Sequence, residues 1–353
     1  MVVWIQNPFD NLPGEGFRKM RYALMADAFV RAGHDVVVWT SDFSHATKRR
    51  RRLSGDSPDH IDVRLVATMP YFRNVSFRRI LSHMAYARRF ERDAVKAVAD
   101  GMSRPDLVVT SCPTISAAEA SVRLARRFGA AVAVDVQDAW PETFERIAPR
   151  WALAPLRARA RRVFLEADFV TGVCDRYREL TGRDDYYRAY LGIEPGERPA
   201  PPHSRTGRRR IAYVGGVGRT YDLDTVRRAA ESLGMDLAVA GGDNYLGQKE
   251  LEEFLSGCDV GVIPMSGDSW VGLPNKLFDY AKAGLPVVSS LGGETAALLK
   301  KYACGATYRA GDVMSLAEAV EAALRCEMLA SRRMCEAEFS AGPIYDAYVK
   351  VLV

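Results

Sequence analysis

The chain has 353 residues, of which 48% are hydrophobic, and a formal net charge of +5. That length exceeds what one core usually supports and predicts two domains of roughly 150 to 200 residues each. No apolar run approaches the ~20 residues of a membrane span, and Val2-Val3-Trp4-Ile5 is too short for a signal-peptide core, so a cytosolic protein is expected.

The six cysteines, Cys112, Cys174, Cys258, Cys304, Cys326 and Cys335, show no Cys-x-x-Cys spacing, and the five histidines form no ligand pair. Neither a zinc knuckle nor a disulfide framework is suggested, and no cofactor is expected. His34, in Ala-Gly-His-Asp, reads as a turn residue. Basic clusters at Lys48 to Arg52, Arg78-Arg79, Arg88-Arg89 and Arg157 to Arg162 all fall in the first half. A solvated face is the default explanation for each. Together they favour an anionic partner such as a membrane surface, a lipid diphosphate or a phosphorylated acceptor. Nucleic acid is not favoured, because no zinc-finger spacing or interleaved aromatic signature is present.

In chain order, Val2 to Gln6 reads as a buried strand, followed by the loop Asn7-Pro-Phe-Asp-Asn-Leu-Pro-Gly-Glu-Gly16. A helix over Phe17 to Arg31 and the strand Val36 to Trp39 complete a strand-loop-helix-strand unit. Such alternation predicts a parallel sheet with ligands beyond the carboxyl ends of its strands, where the glycine loop would lie. Lys48 to Asp62 is polar and reads as a mobile loop. Arg78 to Gly101 carries Ile80, Leu81, Met84, Ala85, Ala94, Val95 and Val98 at roughly helical spacing, with Arg88, Arg89 and Arg92 interleaved. It fits either a basic amphipathic helix on a membrane or a domain helix with one wet side.

Asp106 to Thr110 is the next strand, Ile115 to Phe128 a helix and Ala131 to Val136 a further strand. That strand runs into Asp135-Val-Gln-Asp-Ala-Trp-Pro-Glu142, which places Asp138 and Glu142 just past a strand terminus; turn capping is the plainer role for Asp138. A helix over Leu156 to Leu165 and the strand Phe169 to Val173 close the first half. Pro195 to Arg210, rich in proline and basic residues, is the linker candidate.

The second half opens with Arg210-Ile-Ala-Tyr-Val-Gly-Gly-Val-Gly-Arg-Thr220, a strand entering Gly215, Gly216 and Gly218 and then Arg219. Glycines let backbone N–H groups crowd an anion, and an arginine clamps phosphate with a planar, permanent charge. Asp222-Leu-Asp224 has a metal-binding form but sits at a helix start, where acids cap the dipole, and no other constellation suggests a metal. Gly242 to Lys249 mimics a P-loop, yet Gln248 stands where the lysine is required. The strand Leu237 to Ala240 leads through Gly241 into a helix over Glu250 to Leu255 and the strand Asp259 to Pro264. Helices over Glu294 to Tyr302, Leu316 to Leu324 and Ile344 to Leu352 follow.

Between them lies Leu273-Pro-Asn-Lys-Leu-Phe-Asp-Tyr-Ala-Lys-Ala-Gly-Leu-Pro-Val-Val288. Pro274 starts a helix after Gly272, and Gly284 with Pro286 stops it after about three turns. A helix opening on a glycine loop offers unpaired N–H groups and the positive end of its dipole to a phosphate. Asn275 and Lys276 sit at that end, and Asp279 lies three residues beyond Lys276, where its carboxylate suits a ribose diol. An ordinary capped surface helix is the competing explanation.

This segment closely resembles the donor-binding motif of glycosyltransferase family 4, enzymes of the GT-B fold. The resemblance implies two Rossmann-like, doubly wound parallel-sheet α/β domains facing across a cleft. Residues 1–195 would bind acceptor and 196–339 the nucleotide-sugar donor, with a last helix at about 340–353 packing back on the first domain. By the same resemblance Asp279 fills the second acidic position of the family's Glu-x7-Glu pattern, while Val271 stands where the first glutamate would fall and Asp268 is a substitute. Asp135 to Glu142 resembles the family's Arg-Asp-Leu-Trp-Pro-Glu run, and Leu191-Gly-Ile-Glu-Pro195 its hinge signature.

The implied donor contacts are Gly14, Gly16, Gly215, Gly216, Gly218, Arg219, Gly241, Gly272, Leu273, Pro274, Asn275, Lys276 and Asp279. Glu15, Arg18, Asp138 and Glu142 fall on the acceptor side, and Asp138, Arg219 and Lys276 are the catalytic candidates. The implied activity is retaining, metal-independent transfer from a nucleotide-diphosphate sugar to a hydroxyl acceptor in polysaccharide, glycolipid or glycosylated natural-product synthesis. The acceptor would be anionic or lipid-linked, with peripheral contact at the inner membrane face. Alternatives on the same fold are a nucleotide-sugar 2-epimerase and a catalytically silent binding subunit; a non-catalytic peripheral membrane protein is the third.

Overall fold

Strands that are apolar at consecutive positions suit the middle of a parallel sheet, where helices cover both faces. Leu107–Cys112 is buried at all six positions and Val260–Ile263 at all four. In the computed structural model of the protein the described residues are 1–353 except 13, 14, 16, 17, 52–59, 74, 75, 146, 147, 195, 197–206, 219, 242–245, 266–268 and 328. They form two units, Met1–Gly192 with Ala341–Val353, and Ile193–Ser340.

The first unit comprises β1 (Val2–Gln6), α1 (Arg21–Arg31), β2 (Asp35–Ser41), β3 (Ile61–Val66), α2 (Phe77–Ala99), β4 (Leu107–Cys112), α3 (Ile115–Phe128), β5 (Ala131–Val136), α4 (Arg150–Glu166), β6 (Phe169–Gly172), α5 (Arg178–Thr181) and β7 (Tyr187–Arg188). Its seven-stranded sheet has the order β3-β2-β1-β4-β5-β6-β7, and every pairing is parallel. The second unit comprises β8 (Arg210–Val214), α6 (Leu223–Ser232), β9 (Asp236–Ala240), α7 (Gln248–Ser256), β10 (Val260–Ile263), α8 (Asn275–Ala283), β11 (Val287–Ser289), α9 (Gly293–Lys301), β12 (Gly305–Thr307), α10 (Val313–Ala323) and α11 (Ala330–Glu338). Its five strands are also parallel, in the order β12-β11-β10-β8-β9. The final helix, α12 (Ala341–Leu352), belongs to the first unit, where Tyr345 and Tyr348 join the core under β1 and α1.

Strand order reverses between β1 and β4 in one sheet and between β8 and β10 in the other. Those are the points where crossovers leave toward opposite faces and open a crevice at the strands' carboxyl ends.

Several sequence expectations need correction. Helix α1 begins at Arg21 rather than Phe17, and its first turn is capped from a distance, the Asp10 carboxylate accepting from Tyr22 N–H at 2.8 Å. Ile61–Val66 is a strand where the polar loop was expected to run on to Asp62. Helix α2 buries Ser82, His83, Tyr86, Ala87, Phe90 and Ala94, so Ile80, Leu81 and Met84 lie on its other side, exposed. Helix α4 starts at Arg150, six residues ahead of Leu156, and carries Pro155 inside it. As expected at a helix start, Asp222 caps α6 by accepting from Thr225 N–H at 3.1 Å, and Asp224 in its first turn pairs with Arg227 at 2.7 Å.

Candidate functional site

In the second unit, α8 starts on Pro274, whose side chain makes no capping hydrogen bond. Tyr280 bolts this helix to the sheet. Its hydroxyl accepts from Val214 N–H at 3.0 Å and reaches the carbonyls of Ala212 and Val262 at 3.2 Å. The ring lies against β10 at Gly261, where a Cβ would come within 2.5 Å of it. Glycine is required there for the helix to approach.

This anchoring carries Lys276, one turn earlier, to the end of β8. The side chain is 6% exposed, and its ammonium lies 3.8 Å from the centre of the Tyr221 ring and 5.0 Å from that of Tyr213. Burial pushes its pKa down to about 8, against a smaller opposing pull from Asp279. Among the described residues no carboxylate lies within ion-pair distance of it. Gly215 has φ +127°, and a Cβ there would sit 2.9 Å from the ammonium. Gly241, with φ +114°, would place a Cβ 2.5 Å from the Gly215 carbonyl. Both backbone conformations call for glycine, and at Gly241 a Cβ would also collide with backbone.

The structure thus brings together Gly215, Gly241, Lys276, Asp279 and the first turn of α8. Gly216 accepts a hydrogen bond from the Tyr213 hydroxyl at 2.6 Å, Gly218 accepts from Tyr221 N–H at 3.0 Å, and no side chain crowds either. Gly272 is tied by its carbonyl to the Thr295 hydroxyl at 2.7 Å, Leu273 is buried and Asn275 exposed. Arg219 and Asp268 lie outside the described residues. A mobile phosphate-sized anion placed here would meet a dipole end and a poorly solvated cation, the two attractions that water screens least when they are partly buried.

In the first unit the carboxyl ends of the strands carry a second cluster. Asp138 follows β5; burial pushes its carboxyl above the ordinary range, against hydrogen bonds from Ala139 N–H and the Trp140 side chain and the charge of Arg79. The Arg79 guanidinium lies 5.3 Å from the Trp140 ring and 5.6 Å from Phe9, and its Nε donates to His83 at 3.3 Å. Lys48 lies 4.8 Å from the Tyr71 ring, whose hydroxyl is 2.5 Å from His45 Nδ1. Burial and the neighbouring cations drive both imidazoles down to about 3, so they are neutral at pH 7. Burial and Arg79 lower Lys48 to about 8.

Sequence reasoning missed His45, Tyr71 and His83 as site residues. Position was the available signal, since His45 and Tyr71 follow the ends of β2 and β3 and His83 is one turn beyond Arg79. Glu15 accepts from Leu12 N–H at 2.8 Å and pairs with Arg51 at 3.1 Å, and Glu142 pairs with Arg157 at 3.0 Å. Arg18 is half-buried. Gly14 and Gly16 lie outside the described residues.

Below this cluster the sheet holds a buried ion pair that the sequence did not reveal. Arg21 forks onto Asp135 with two bonds of 2.8 Å, and Asp135 also accepts from Tyr22 and Thr171 at 2.8 Å. The remaining guanidinium nitrogen donates to the carbonyls of Ala189 and Tyr190 at 3.0 and 2.9 Å.

Two doubly wound units with these sheet orders define a GT-B architecture, and known structures agree. Sucrose-phosphate synthase from Thermosynechococcus elongatus superposes with a TM-score of 0.71 at 12% identity, covering 99% of this chain and 98% of that one. Anabaena HepE in complex with UDP-glucose gives 0.66 at 11% identity over 100% and 99% of the two chains. The catalytic domain of starch synthase IV from Arabidopsis thaliana, bound to ADP and acarbose, gives 0.65 at 13% over 99% and 98%. Residues 20–191 match the glycosyl transferase 4-like domain and residues 208–326 the glycosyl transferases group 1 domain. No curated protein sequence matches the chain significantly. The chain belongs to the family 4-like glycosyltransferases.

Proposed function

We propose that the protein moves a glycosyl group from a nucleotide-diphosphate sugar to a hydroxyl acceptor, with retention of anomeric configuration and without a metal ion. The observation that carries this reading is the buried Lys276 ammonium, set at the start of α8 beside the positive-φ glycines 215 and 241. HepE in complex with UDP-glucose and starch synthase IV bound to ADP support a nucleotide-sugar donor.

Breaking the anomeric C–O bond expels a nucleoside diphosphate, so the main demand on the protein is to stabilise negative charge as it develops on that leaving group. Lys276 and the amides at Asn275 and Lys276 meet that demand in this reading, together with Arg219, and Asp279 receives the ribose hydroxyls. The acceptor oxygen bonds to the anomeric carbon on the face the diphosphate leaves, and a phosphate oxygen takes the acceptor's proton. No protein nucleophile is needed. On the acceptor side Asp138 orients the hydroxyl, with Glu15, Arg18 and Glu142 nearby in the assignment. The cations Lys48 and Arg79 on their aromatic cradle support an acceptor that carries negative charge.

A thermal-shift screen with UDP, GDP, ADP and TDP, followed by product analysis with the matching sugars and EDTA, tests the reading. One nucleotide should raise the melting temperature, and transfer should persist in EDTA. Lys276→Ala and Arg219→Ala should each lower turnover by about 10²-fold or more while the fold is retained. A changed sugar released with no acceptor present, activity that needs added metal, or near-normal rates in either variant would contradict it.

A further inference from the structure

We propose that Tyr221 is a positioning residue for the transfer step: the face of its ring holds the Lys276 ammonium beside Gly215 with its charge un-neutralised, so that a phosphate of the nucleotide meets it already in place. The inference rests on the donor-site reading above and deepens it by assigning what holds the cation. An ammonium taken out of water needs a compensating partner. A carboxylate is the usual one, and among the described residues none lies within ion-pair distance of Lys276. Aromatic rings stand there instead, the ammonium lying 3.8 Å from the centre of the Tyr221 ring and 5.0 Å from that of Tyr213. Both fall inside the ~6 Å over which a ring quadrupole attracts a cation, and the shorter distance singles out Tyr221. The choice of partner matters to an anion. A carboxylate would cancel most of the charge that a diphosphate feels and would itself repel the ligand, whereas a neutral ring stabilises the cation and leaves its net charge intact.

Backbone bonds fix where the ring can stand. Tyr221 N–H donates to the Gly218 carbonyl at 3.0 Å, the residue forms an antiparallel bridge with Met265, and Asp222 N–H donates to the Pro264 carbonyl at 2.9 Å. The Tyr221 ring meets that of Tyr213 at 5.6 Å and 65°, and the Tyr213 hydroxyl is tied to the Gly216 carbonyl at 2.6 Å. Tyr213 is fully buried in the core of its unit and serves the fold, whereas Tyr221 is half-buried and packs against that core. The titratable groups facing the ammonium are these two phenols, from β8 and from the loop before α6, and Asp279 on its own helix. On the Gly215 side, glycine leaves out a Cβ that would sit 2.9 Å from the ammonium. The cation therefore has a ring on one side and room for a phosphate oxygen on another.

The test follows Lys276 itself before it follows binding. In the nucleotide-free full chain with carbon-13-labelled lysines, the Lys276 signal is assigned by its loss in Lys276→Gln and titrated by NMR. Tyr221→Phe should titrate like the parent. Tyr221→Leu, which fills the space without a ring face, should lower the proton affinity of the amine by about tenfold. Calorimetric affinity for whichever of UDP, GDP, ADP and TDP stabilises the parent most should then fall about fivefold or more in Tyr221→Leu at about pH 8. The loss should be smaller at about pH 6, where the variant's amine is charged too, and Tyr221→Phe should bind like the parent at both. An unchanged or raised titration in Tyr221→Leu would overturn the inference, as would a Tyr221→Phe that behaves like Tyr221→Leu, because the hydroxyl and not the ring face would then be needed. Lys276→Gln binding nucleotide as tightly as the parent would overturn the donor-site reading and this inference with it. Weak binding by Lys276→Gln beside parent-like binding by Tyr221→Leu at both pH values would overturn this inference alone.

Discussion

Lys276 is a cation kept where water is scarce, and that gives it two opposite pH signatures. Its folded pKa of about 8 lies below the ordinary lysine value, so between about pH 8 and ~10.4 the unfolded chain binds more protons than the folded one and stability gains with pH. Nucleoside diphosphate affinity should move the other way, falling as pH rises through about 8, because in the proposed function the ammonium meets the phosphate. Calorimetric titrations and thermal melts across pH 7 to 10 would display both trends, and Lys276→Gln should erase both; an affinity flat across that range would detach Lys276 from the anion. Asp135 illustrates the reverse sign. Burial pushes its carboxyl up, but the Arg21 charge with the bonds from Arg21, Thr171 and Tyr22 outweighs burial and holds it below the usual range. Its contribution is present above ~3.9 and is lost as pH falls through the lower folded value. Asp135→Asn strands a buried guanidinium and should cost about 3–5 kcal/mol in chemical denaturation at pH 7, with a shallower loss toward acid than the parent. None of this was legible in the sequence, because Arg21 and Asp135 are 114 residues apart and each alone looks like an ordinary surface charge.

At the scale of elements, legibility followed punctuation. The segment ending in Gly284 and Pro286 was readable because Pro274, Gly284 and Pro286 have local consequences that no tertiary contact needs to supply, and α8 runs Asn275–Ala283. Strand β3 was not, since Ile61, Asp62 and Val63 are only half-buried on an edge strand and follow a charged run. The two-sided apolar character of α2 defeated periodicity, which presumes one buried face. The function of Tyr280 was also invisible: its hydroxyl serves three backbone groups on two strands. Tyr280→Phe should cost about 1–3 kcal/mol, since it leaves buried backbone groups unpaired. It should also weaken nucleotide binding while Lys276 itself is intact. A variant as stable as the parent, and as tight, would show that α8 does not depend on that bolt.

Across the whole molecule the same solution appears twice, a parallel sheet whose order reverses beside its first strand, with a candidate site past the carboxyl ends of each. Alternating strands and helices made that architecture readable, while the aromatic cradle around Arg79 was not, because it assembles Phe9, His45, Tyr71, His83 and Trp140 from four separate loops and one helix. No helix among the described residues is long and apolar enough to cross a membrane. The account rests on an anion seated where α8 begins. A crystal structure of the chain soaked with the nucleoside diphosphate that stabilises it most is the direct measurement. The prediction is a terminal phosphate within hydrogen-bond distance of Lys276 Nζ and the first amides of α8, over Gly215. A nucleotide bound elsewhere, with Lys276 still folded against Tyr213 and Tyr221, would contradict it.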